Sequence, residues 1–213
     1  MIAIIDYNAG NLTSVARAVA HLGMECAVTH DPDLIRRAER IIFPGVGAAG
    51  SAMDSLRRMG LDRVLAEQVA AGKPVLGICL GCQVILGHSE ENDTVCLGLV
   101  AGRAHAFPSS LTDRDGMPLK IPHMGWNQVL PRREHPLFAG LGPKDEFYFV
   151  HGFFPLPERM EDVLAVTEYG VEFASVIGHR NLMATQFHLE KSGRPGLRML
   201  HNFCRWTWSE RAC

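Results

Sequence analysis

Short apolar runs alternate with helix-like segments over residues 1–80 of the chain. Apolar runs of about 4–8 residues that end in turn residues are typical of buried strands. Between them, apolar residues recur at the three- or four-residue spacing that predicts helices. The predicted strands are 2–5, 25–30, 40–45 and 73–78, and the predicted helices are 11–23, 51–60 and 61–72. This alternation favours a parallel sheet covered on both faces.

Residues 98–187 have a different pattern, in which strand-like runs are separated by Gly, Pro and Asn turns. We expect these runs to form antiparallel hairpins that extend the sheet. Helical spacing returns at 194–208, where apolar residues share one face. The sequence contains no repeat, low-complexity tract or linker. We therefore expect a single α/β domain over residues 1–213 with a mixed, mainly parallel sheet.

Composition narrows the class of protein. Hydrophobic residues make up 47% and charged residues 21% of the chain, which is typical of a soluble globular protein. The formal net charge of −2 gives no indication of a nucleic acid or an anionic membrane surface as partner. No apolar run approaches the roughly 18 residues of a membrane span, and the N-terminus lacks the basic region of a signal peptide. We expect a cytoplasmic protein whose six cysteines are reduced.

The segment "GICLGCQ", residues 77–83, carries the strongest chemical signal. Cys79 follows a predicted strand, precedes a segment that can form a helix, and lies between Gly77 and Gly81. This G-x-C-x-G arrangement matches a nucleophile elbow, in which a sharp turn exposes the reactive side chain. The flanking glycines leave room for the tight turn, and the N-terminus of the helix favours the thiolate form of the sulfur. The pattern predicts Cys79 as a catalytic nucleophile.

Other interpretations of Cys79 and Cys82 stay open at this point. A thioredoxin-like pair also places C-x-x-C at the start of a helix, although it leaves the two glycines unexplained. A zinc site needs further Cys or His ligands at a suitable spacing, and the sequence offers none. A core cysteine in a glycine-rich turn needs no function at all.

A nucleophilic cysteine needs a general base and a group that orients this base. In "LMATQFHLEKS", His188 lies at the end of a predicted strand and Glu190 follows two positions later. Residues i and i+2 of an extended chain project to the same side, so Glu190 can reach the imidazole of His188. A histidine at a strand end is by itself more often structural, and His88 with Glu90 has the same spacing on the predicted helix after the elbow. Together with Cys79, the pattern favours His188 as the base.

The segment "FPGVGAAGSAM", residues 43–53, is a candidate oxyanion site. A predicted strand ends near Pro44, two glycines flank Val46, and a helix follows. Such a loop can direct backbone N–H groups at a developing negative oxygen, with the N–H of Leu80 as a second donor. A plain strand-to-helix turn is the alternative interpretation, and the segment alone does not exclude it.

The segments "PGVG…AM", "GICLGCQ" and "QFHLEKS", in this order, resemble the class I (triad) glutamine amidotransferase family. Within this family, "IDYNAGNLTSV", "IPHMGWN" and "YFVHGF" are most similar to the glutaminase subunits of imidazole glycerol phosphate synthases, which act in histidine biosynthesis. The resemblance covers nearly the whole chain, and its motifs are specific in combination. It implies a flavodoxin-like α/β sandwich whose mixed sheet is extended by antiparallel hairpins.

The resemblance implies a glutaminase reaction that uses neither a cofactor nor a metal. Cys79 attacks the side-chain amide of glutamine, His188 transfers a proton to the leaving ammonia, and Glu190 orients His188. A γ-glutamyl thioester forms, and water then releases glutamate. The implied oxyanion donors are the N–H groups of Val46 and Leu80, and the implied substrate contacts are Gly47, Gln83, Glu91, His151, Gly152 and Phe153. Among these, Glu91 holds the α-amino group, and backbone N–H groups of 151–153 hold the α-carboxylate.

The implied partner is a (β/α)8-barrel cyclase subunit in a heterodimer. This cyclase joins the ammonia to a phosphorylated ribulosyl intermediate and forms imidazole glycerol phosphate and an aminoimidazole carboxamide ribotide. Glutamine hydrolysis is expected to be slow until the cyclase has bound its own ligand. The implied interface residues are His123, Met124, Trp126, Asn127, Tyr148 and Lys191, with Lys191 paired with an acid of the partner. Alternatives are a paralogous glutaminase that serves another synthase, or a catalytically silent binding module.

Three positions depart from the family pattern. The usual Met three residues after the nucleophile is Cys82, which is an exchange between soft side chains and leaves the triad intact. The usual Pro between the His and the Glu is Leu189, so we expect a less rigid Glu190 and a lower rate. The usual Ser or Thr after the histidine of "YFVH" is Gly152, which retains backbone contacts and loses a hydroxyl.

Overall fold

A computed structural model describes residues 1–8 and 10–208 of the chain. The strands are β1 (Ile2–Ile5), β2 (Cys26–Thr29), β3 (Arg40–Gly45), β4 (Val75–Cys79), β5 (His88–Ser89), β6 (Thr94–Val95), β7 (Gly102–Ala106), β8 (His123–Gln128), β9 (Leu130–Pro131), β10 (Glu146–His151), β11 (Phe153–Pro157), β12 (Val163–Glu168), β13 (Glu172–His179) and β14 (Leu182–Thr185). The helices are α1 (Leu12–His21), α2 (Pro32–Arg37), α3 (Ala49–Met59), α4 (Leu61–Ala70), α5 (Leu80–Val84) and α6 (Gly193–Arg205).

Within the described residues, the main sheet has eight strands in the order β2-β1-β3-β4-β14-β13-β12-β9. The strands from β2 to β14 are parallel, and β13, β12 and β9 continue the sheet in antiparallel pairing. The predicted mixed, mainly parallel sheet is confirmed. The central strand β4 lies between β3 and β14, with Cys79 opposite Gly45 and Ile78 opposite Thr185. The carboxyl ends of these three strands therefore meet at one edge of the sheet.

Helices cover both faces of the parallel strands β1, β3 and β4, which are buried and apolar on both sides. On one face, α1 and α6 contribute Val15, Val19 and Phe203 to a core cluster that includes Ile4 and Ile42. On the other face, α2 to α5 pack on alternate residues of the same strands, and their buried side chains include Ile35, Met53, Leu56, Leu65 and Val84. This two-sided burial explains the continuous apolar runs in the parallel strands.

The second half of the chain differs in part from the expected hairpins. β12, β13 and β9 do extend the main sheet, but β8 pairs with β10 in a separate two-stranded sheet. β11, β7, β5 and β6 form a further four-stranded sheet. The separate sheets surround the edge at which β4 ends, so they supply walls for a site.

The helix α2 was not predicted, because its six residues contain one buried side chain, Ile35, and show no periodicity.

None of the helices that the structure describes is long and apolar enough to span a membrane. The five cysteines within the described residues are free thiols. Cys213 lies outside this part of the chain.

Candidate active site

Cys79 is the last residue of β4 and lies directly before α5. Its backbone has φ 54° and ψ −106°, which produces the sharp turn expected of a nucleophile elbow. A Cβ at Gly81 would lie 2.0 Å from the carbonyl oxygen of Phe43, and one at Gly77 would lie 3.0 Å from the Cβ of Ala184. Gly81 is therefore required because α5 packs directly against β3, whereas a Cβ at Gly77 would make a tight contact with β14.

His188 lies three residues beyond β14 and is held through its ring and its backbone. Its Nδ1 is 2.7 Å from Oε1 of Glu190, and its backbone N–H donates to the carbonyl of Tyr148 at 3.0 Å. Residues Leu189–Lys191 form a short 3-10 turn. Glu190 therefore reaches the imidazole from a turn, whereas an extended chain was predicted there.

The His188 side chain is buried and lies between the side chains of Cys79 and Glu190. Burial alone acts to lower the pKa of His188, but its interactions with Cys79 and Glu190 outweigh burial and raise this pKa to about 9. Within the described chain, Nε2 of His188 has no hydrogen-bond partner. Because Cys79 and His188 line the same cavity, this nitrogen is available to exchange a proton at that cavity.

A cavity of about 250 Å³ joins the residues that the sequence motifs single out. It is lined by Val46, Gly47, Cys79, Leu80, Gln83, Glu91, Pro122, Val150, His151, Gly152, Phe153 and His188. All the predicted oxyanion and substrate-contact residues therefore lie around one space with the predicted nucleophile and base. Pro122 and Val150 were not predicted, because neither has a side chain with distinctive chemistry.

Polar groups on the cavity wall are fixed by specific hydrogen bonds. Nε2 of Gln83 donates to the carbonyl of Phe153 at 2.9 Å and to Oε1 of Gln186 at 3.1 Å. Nε2 of Gln186 in turn donates to the sulfur of Cys79 at 3.8 Å. Oε2 of Glu91 accepts from the N–H of Ala49, the first residue of α3, at 2.7 Å. Gln186 was missed by the sequence analysis, although it precedes His188 within the quoted "QFHLEKS".

The predicted oxyanion donors lie on two sides of Cys79. Leu80 begins α5, so its N–H has no acceptor within that helix. Val46 and Gly47 follow β3, which runs beside β4, and Gly47 has φ 102°. Nothing lies within 4 Å of a Cβ built on Gly47, so the backbone conformation is what calls for glycine there.

The predicted interface residues separate into exposed and buried groups. Met124 and Trp126 on β8 are 62% and 54% exposed. The Trp126 and Tyr148 rings lie 6.0 Å apart, and Nζ of the exposed Lys191 lies 6.0 Å from the Tyr148 ring, so these side chains form one surface patch. Asn127 is half-buried and donates to the carbonyl of Glu168. We call Met124, Trp126, Tyr148 and Lys191 the β8 patch.

His123 is 2% exposed, so its side chain lies below the β8 patch and inside the protein. Its Nδ1 is 3.0 Å from Nε2 of His151, and Nδ1 of His151 donates to the carbonyl of Phe153 at 2.8 Å. Burial lowers the pKa of His123 to about 4 and, together with the nearby His123 and His188, lowers the pKa of His151 to about 3. This neutral pair connects β8 with the cavity wall, and sequence analysis did not reveal it.

Cys82, Leu189 and Gly152, which depart from the family pattern, lie in different surroundings in the structure. Cys82 is fully buried in the core cluster of α3 and α5, whereas Cys79 belongs to the cluster on the other face of the sheet. Burial and the charge of Cys79 raise the pKa of Cys82 well above its usual value. Leu189 is also fully buried, so packing anchors the turn that carries Glu190. A Cβ at Gly152 would lie no closer than 3.9 Å to Ile121, so a larger residue has room there.

Across residues 1–8 and 10–208, no group of three or more His, Cys, Asp or Glu side chains is arranged to hold a metal ion. The groups that the cavity brings together are Cys79, the His188–Glu190 pair and backbone N–H groups. A candidate nucleophile, a base with an orienting acid, and backbone N–H groups around one cavity fit acyl transfer at a carbonyl or amide carbon.

Comparisons with known proteins show the family to which the chain belongs. A family model described as glutamine amidotransferase class-I matches residues 3–206. Imidazole glycerol phosphate synthase subunit HisH of Nitratidesulfovibrio vulgaris (strain DP4) is 54% identical over 206 residues, which cover 97% of this chain and 96% of that protein. Subunit HisH of Methylococcus capsulatus is 48% identical over 215 residues, which cover 99% of both chains.

Solved structures show the same fold at low identity. The structure of PurLQS from Thermotoga maritima matches with a TM-score of 0.72 and 17% identity, covering 95% of this chain and 96% of that one. A crystal structure of a glutamine amidotransferase matches with a TM-score of 0.71 and 16% identity, covering 96% of this chain and 100% of that one. Since the family model spans nearly the whole chain and relatives share about half of its residues over their full length, the chain belongs to the class-I glutamine amidotransferase family.

Proposed function

We propose that this protein is the glutaminase subunit of an imidazole glycerol phosphate synthase, formed by a single amidotransferase domain over residues 1–213. It hydrolyses glutamine to glutamate and ammonia for histidine biosynthesis. The observation that carries the proposal is the single cavity in which Cys79 and the His188–Glu190 pair meet, in a chain 54% identical to a HisH subunit. No cofactor or metal takes part in the proposed reaction.

In the proposed mechanism, the sulfur of Cys79 attacks the side-chain amide carbon of glutamine. The oxyanion that develops accepts from the N–H groups of Val46 and Leu80. His188 gives its proton to the amide nitrogen, so ammonia leaves and a γ-glutamyl thioester remains. His188 then takes a proton from water, which attacks the thioester and releases glutamate. A pKa of about 9 keeps His188 protonated at neutral pH, which supports its role as the acid in the first step.

The proposed substrate contacts surround the same cavity. Oε2 of the Glu91 carboxylate accepts from the N–H of Ala49. The second oxygen of this carboxylate can accept from the α-ammonium of glutamine. Backbone N–H groups of 151–153 hold the α-carboxylate, and Gln83 and Gly47 line the path of the side chain. The hydrogen bonds of Gln83 to Phe153 and Gln186 support a pocket that is already shaped before substrate binds.

We further propose a heterodimer with a (β/α)8-barrel cyclase subunit that receives the ammonia through a channel and acts as a lyase. The β8 patch is the proposed contact surface, because it is exposed, apolar and aromatic, and carries one lysine. His123, whose side chain lies beneath this patch, is proposed to link a bound partner to the cavity. Its link to His151 gives a partner on β8 a route to the cavity, which supports allosteric control of glutamine hydrolysis.

The test is glutamate release from glutamine by the purified chain, alone and with a histidine-pathway cyclase and its ribulosyl ligand. We expect a large rise only when both the cyclase and the ligand are present. If basal hydrolysis depends on Cys79 but does not rise, the chemistry stands and the synthase is a different one. If no hydrolysis occurs under any condition, the chain is a binding module, and the proposal fails.

A further inference from the structure

Asn11 has an unusual backbone and an unusual side-chain partner. It precedes α1 with φ 74° and ψ 8°, a left-handed conformation that asparagine tolerates better than most residues. Asparagine at this position commonly accepts from an N–H of its own helix. Within the described part of the chain, the side chain of Asn11 makes no such cap.

The side chain of Asn11 is turned toward the catalytic pair instead. Its Nδ2 donates to Oε1 of Glu190, 179 positions away in the sequence. The same oxygen lies 2.7 Å from Nδ1 of His188. The Glu190 side chain is 1% exposed, and its Oε2 has no hydrogen-bond partner among the residues described. Asn11 and His188 therefore hold this buried carboxylate through one shared oxygen.

We propose that Asn11 is a positioning residue for glutamine hydrolysis, an inference that rests on the proposed function. A buried carboxylate with a single partner can rotate about its terminal bond and carry its acceptor away from the imidazole. A second donor on the same oxygen fixes this rotation, and a hydrogen bond to a charged acceptor is stronger than one between neutral groups. The left-handed backbone at Asn11 directs its amide toward Glu190.

Leu189, which stands where the family pattern has a proline, lies beside Glu190 in the same turn. Leu189 is fully buried and anchors the turn through packing, but packing does not fix the carboxylate of Glu190 itself. The Asn11 amide supplies that constraint from another part of the chain. The motif "IDYNAGNLTSV" thereby gains a function within the active site.

Two variants separate positioning from a purely structural role. Asn11→Gly removes the side chain and keeps the left-handed backbone without strain. Asn11→Asp keeps the shape and replaces the donor with a carboxylate next to Glu190. The control is Asn8→Gly, since Asn8 is exposed and also left-handed at φ 66°. All variants are assayed with the cyclase and its ribulosyl ligand, over the pH range in which the unmodified protein is active.

We expect Asn11→Gly to lower kcat for glutamine hydrolysis by about 10- to 100-fold, with KM nearly unchanged, because orientation and not binding is lost. The loss in Asn11→Asp becomes smaller as the pH falls. Two adjacent carboxylates retain one proton, and this proton lets Asp donate to Glu190 as Asn does. The loss in Asn11→Gly does not depend on pH in this way, and Asn8→Gly retains the original kcat.

The inference is overturned if both Asn11 variants keep kcat near that of Asn8→Gly. It is also overturned if they lose activity equally at every pH, which is the behaviour of a local structural defect. Circular dichroism confirms that each variant is folded, and the Asn11→Asp profile remains decisive if Asn11→Gly does not fold. An unmodified protein that hydrolyses glutamine through Cys79 leaves the proposed function standing whatever the Asn11 result. An unmodified protein without this activity overturns both.

Discussion

Cys79 and Cys82 are close in sequence and lie in different surroundings. Cys79 is at the cavity and receives a hydrogen bond from Gln186, whereas Cys82 is fully buried among apolar side chains on the opposite face of the sheet. A raised pKa keeps the Cys82 thiol protonated, which makes it a poor nucleophile and a poor metal ligand. These surroundings support the proposal that Cys79, the first cysteine of the C-x-x-C pair, is the nucleophile.

Substitution of each cysteine separates these roles. Cys79→Ala should lower glutamine hydrolysis by about 10³-fold or more, because the nucleophile is lost. Cys82→Ala should retain activity and lower the free energy of unfolding by about 1 kcal/mol, because only a buried sulfur is removed. Glutamate release and urea unfolding measure the two effects. Equal loss of activity in both variants would support a redox or metal role for the pair.

At the residue scale, the candidate reactive residues left a clearer pattern in the sequence than the residues that contact them. Cys79, His188 and Glu190 were recognisable because reactive side chains stood next to turn signals and strand ends. Asn11 and Gln186 were not, because amide side chains are common and only the fold brings them to Glu190 and Cys79. Such supporting contacts depend on tertiary packing and leave no local pattern in the chain.

At the element scale, the contact between α5 and β3 fixes the position of Cys79, the proposed nucleophile. The α5 backbone at Gly81 lies so close to the carbonyl of Phe43 that a Cβ would approach to 2.0 Å. The backbone of Gly81 is held within α5 and the carbonyl of Phe43 within β3. Neither can therefore move away without a large cost in free energy. The glycine is needed for packing and thereby for the position of Cys79.

Gly81→Ala should therefore lower the free energy of unfolding by about 3 kcal/mol or more, the upper end of overpacking effects. Gly50→Ala is the matched control, because it lies in α3 and a Cβ there would be 3.5 Å from Thr94, an ordinary contact. The control should gain about 0.5–1 kcal/mol, since alanine loses less entropy in a helix. Urea unfolding of both variants checks the opposite signs. A tolerated Gly81→Ala would contradict the packing argument.

The elements of the first half were predictable and those of the second half were so only in part. β1, β3 and β4 are buried on both faces, so their apolar runs stand out, and α1 shows a clear helical repeat. The strands β8 and β10 were recognised as strands, but their pairing in a separate sheet was not. Which strands pair depends on contacts between distant segments, and a single sequence does not reveal these.

At the scale of the whole molecule, the β8 patch is the proposed contact surface for the cyclase. Trp126→Ala should weaken binding of the cyclase by about tenfold or more, because exposed aromatic residues often dominate interface energies. Basal glutamine hydrolysis should be unchanged, since Trp126 does not line the cavity. Met160→Ala is the control, because Met160 is 82% exposed outside the patch. Titration calorimetry measures both, and equal binding by the two variants would place the interface elsewhere.

The buried His123–His151 pair makes the stability of the molecule depend on pH. An unfolded histidine has a pKa of about 6.5, whereas folding lowers the pKa of His123 to about 4 and that of His151 to about 3. Between these values the unfolded chain binds more protons. The contribution of the pair to stability is therefore complete above about pH 6.5 and is lost as the pH falls toward about 3.

Urea unfolding at a series of pH values below 7 should show this decrease in the free energy of unfolding. His123→Phe keeps a ring that can stack on Tyr169 and removes one titrating group, so the decrease should be smaller. The exposed His30→Asn is the control and should leave the decrease as it is. A decrease of the same size in His123→Phe would show that other groups cause it.

The turn at Cys79, with φ 54° and ψ −106°, has a consequence for how the protein changes over generations. A residue other than glycine in such a conformation costs about 1–3 kcal/mol, so Cys79→Gly should be more stable than Cys79→Ala by that amount in thermal or urea unfolding. Both variants lack the sulfur, and so the comparison isolates the backbone. The free energy of the backbone alone would favour glycine at the position of Cys79, the proposed nucleophile. A substitution that makes this turn more stable therefore gives a protein that no longer releases ammonia.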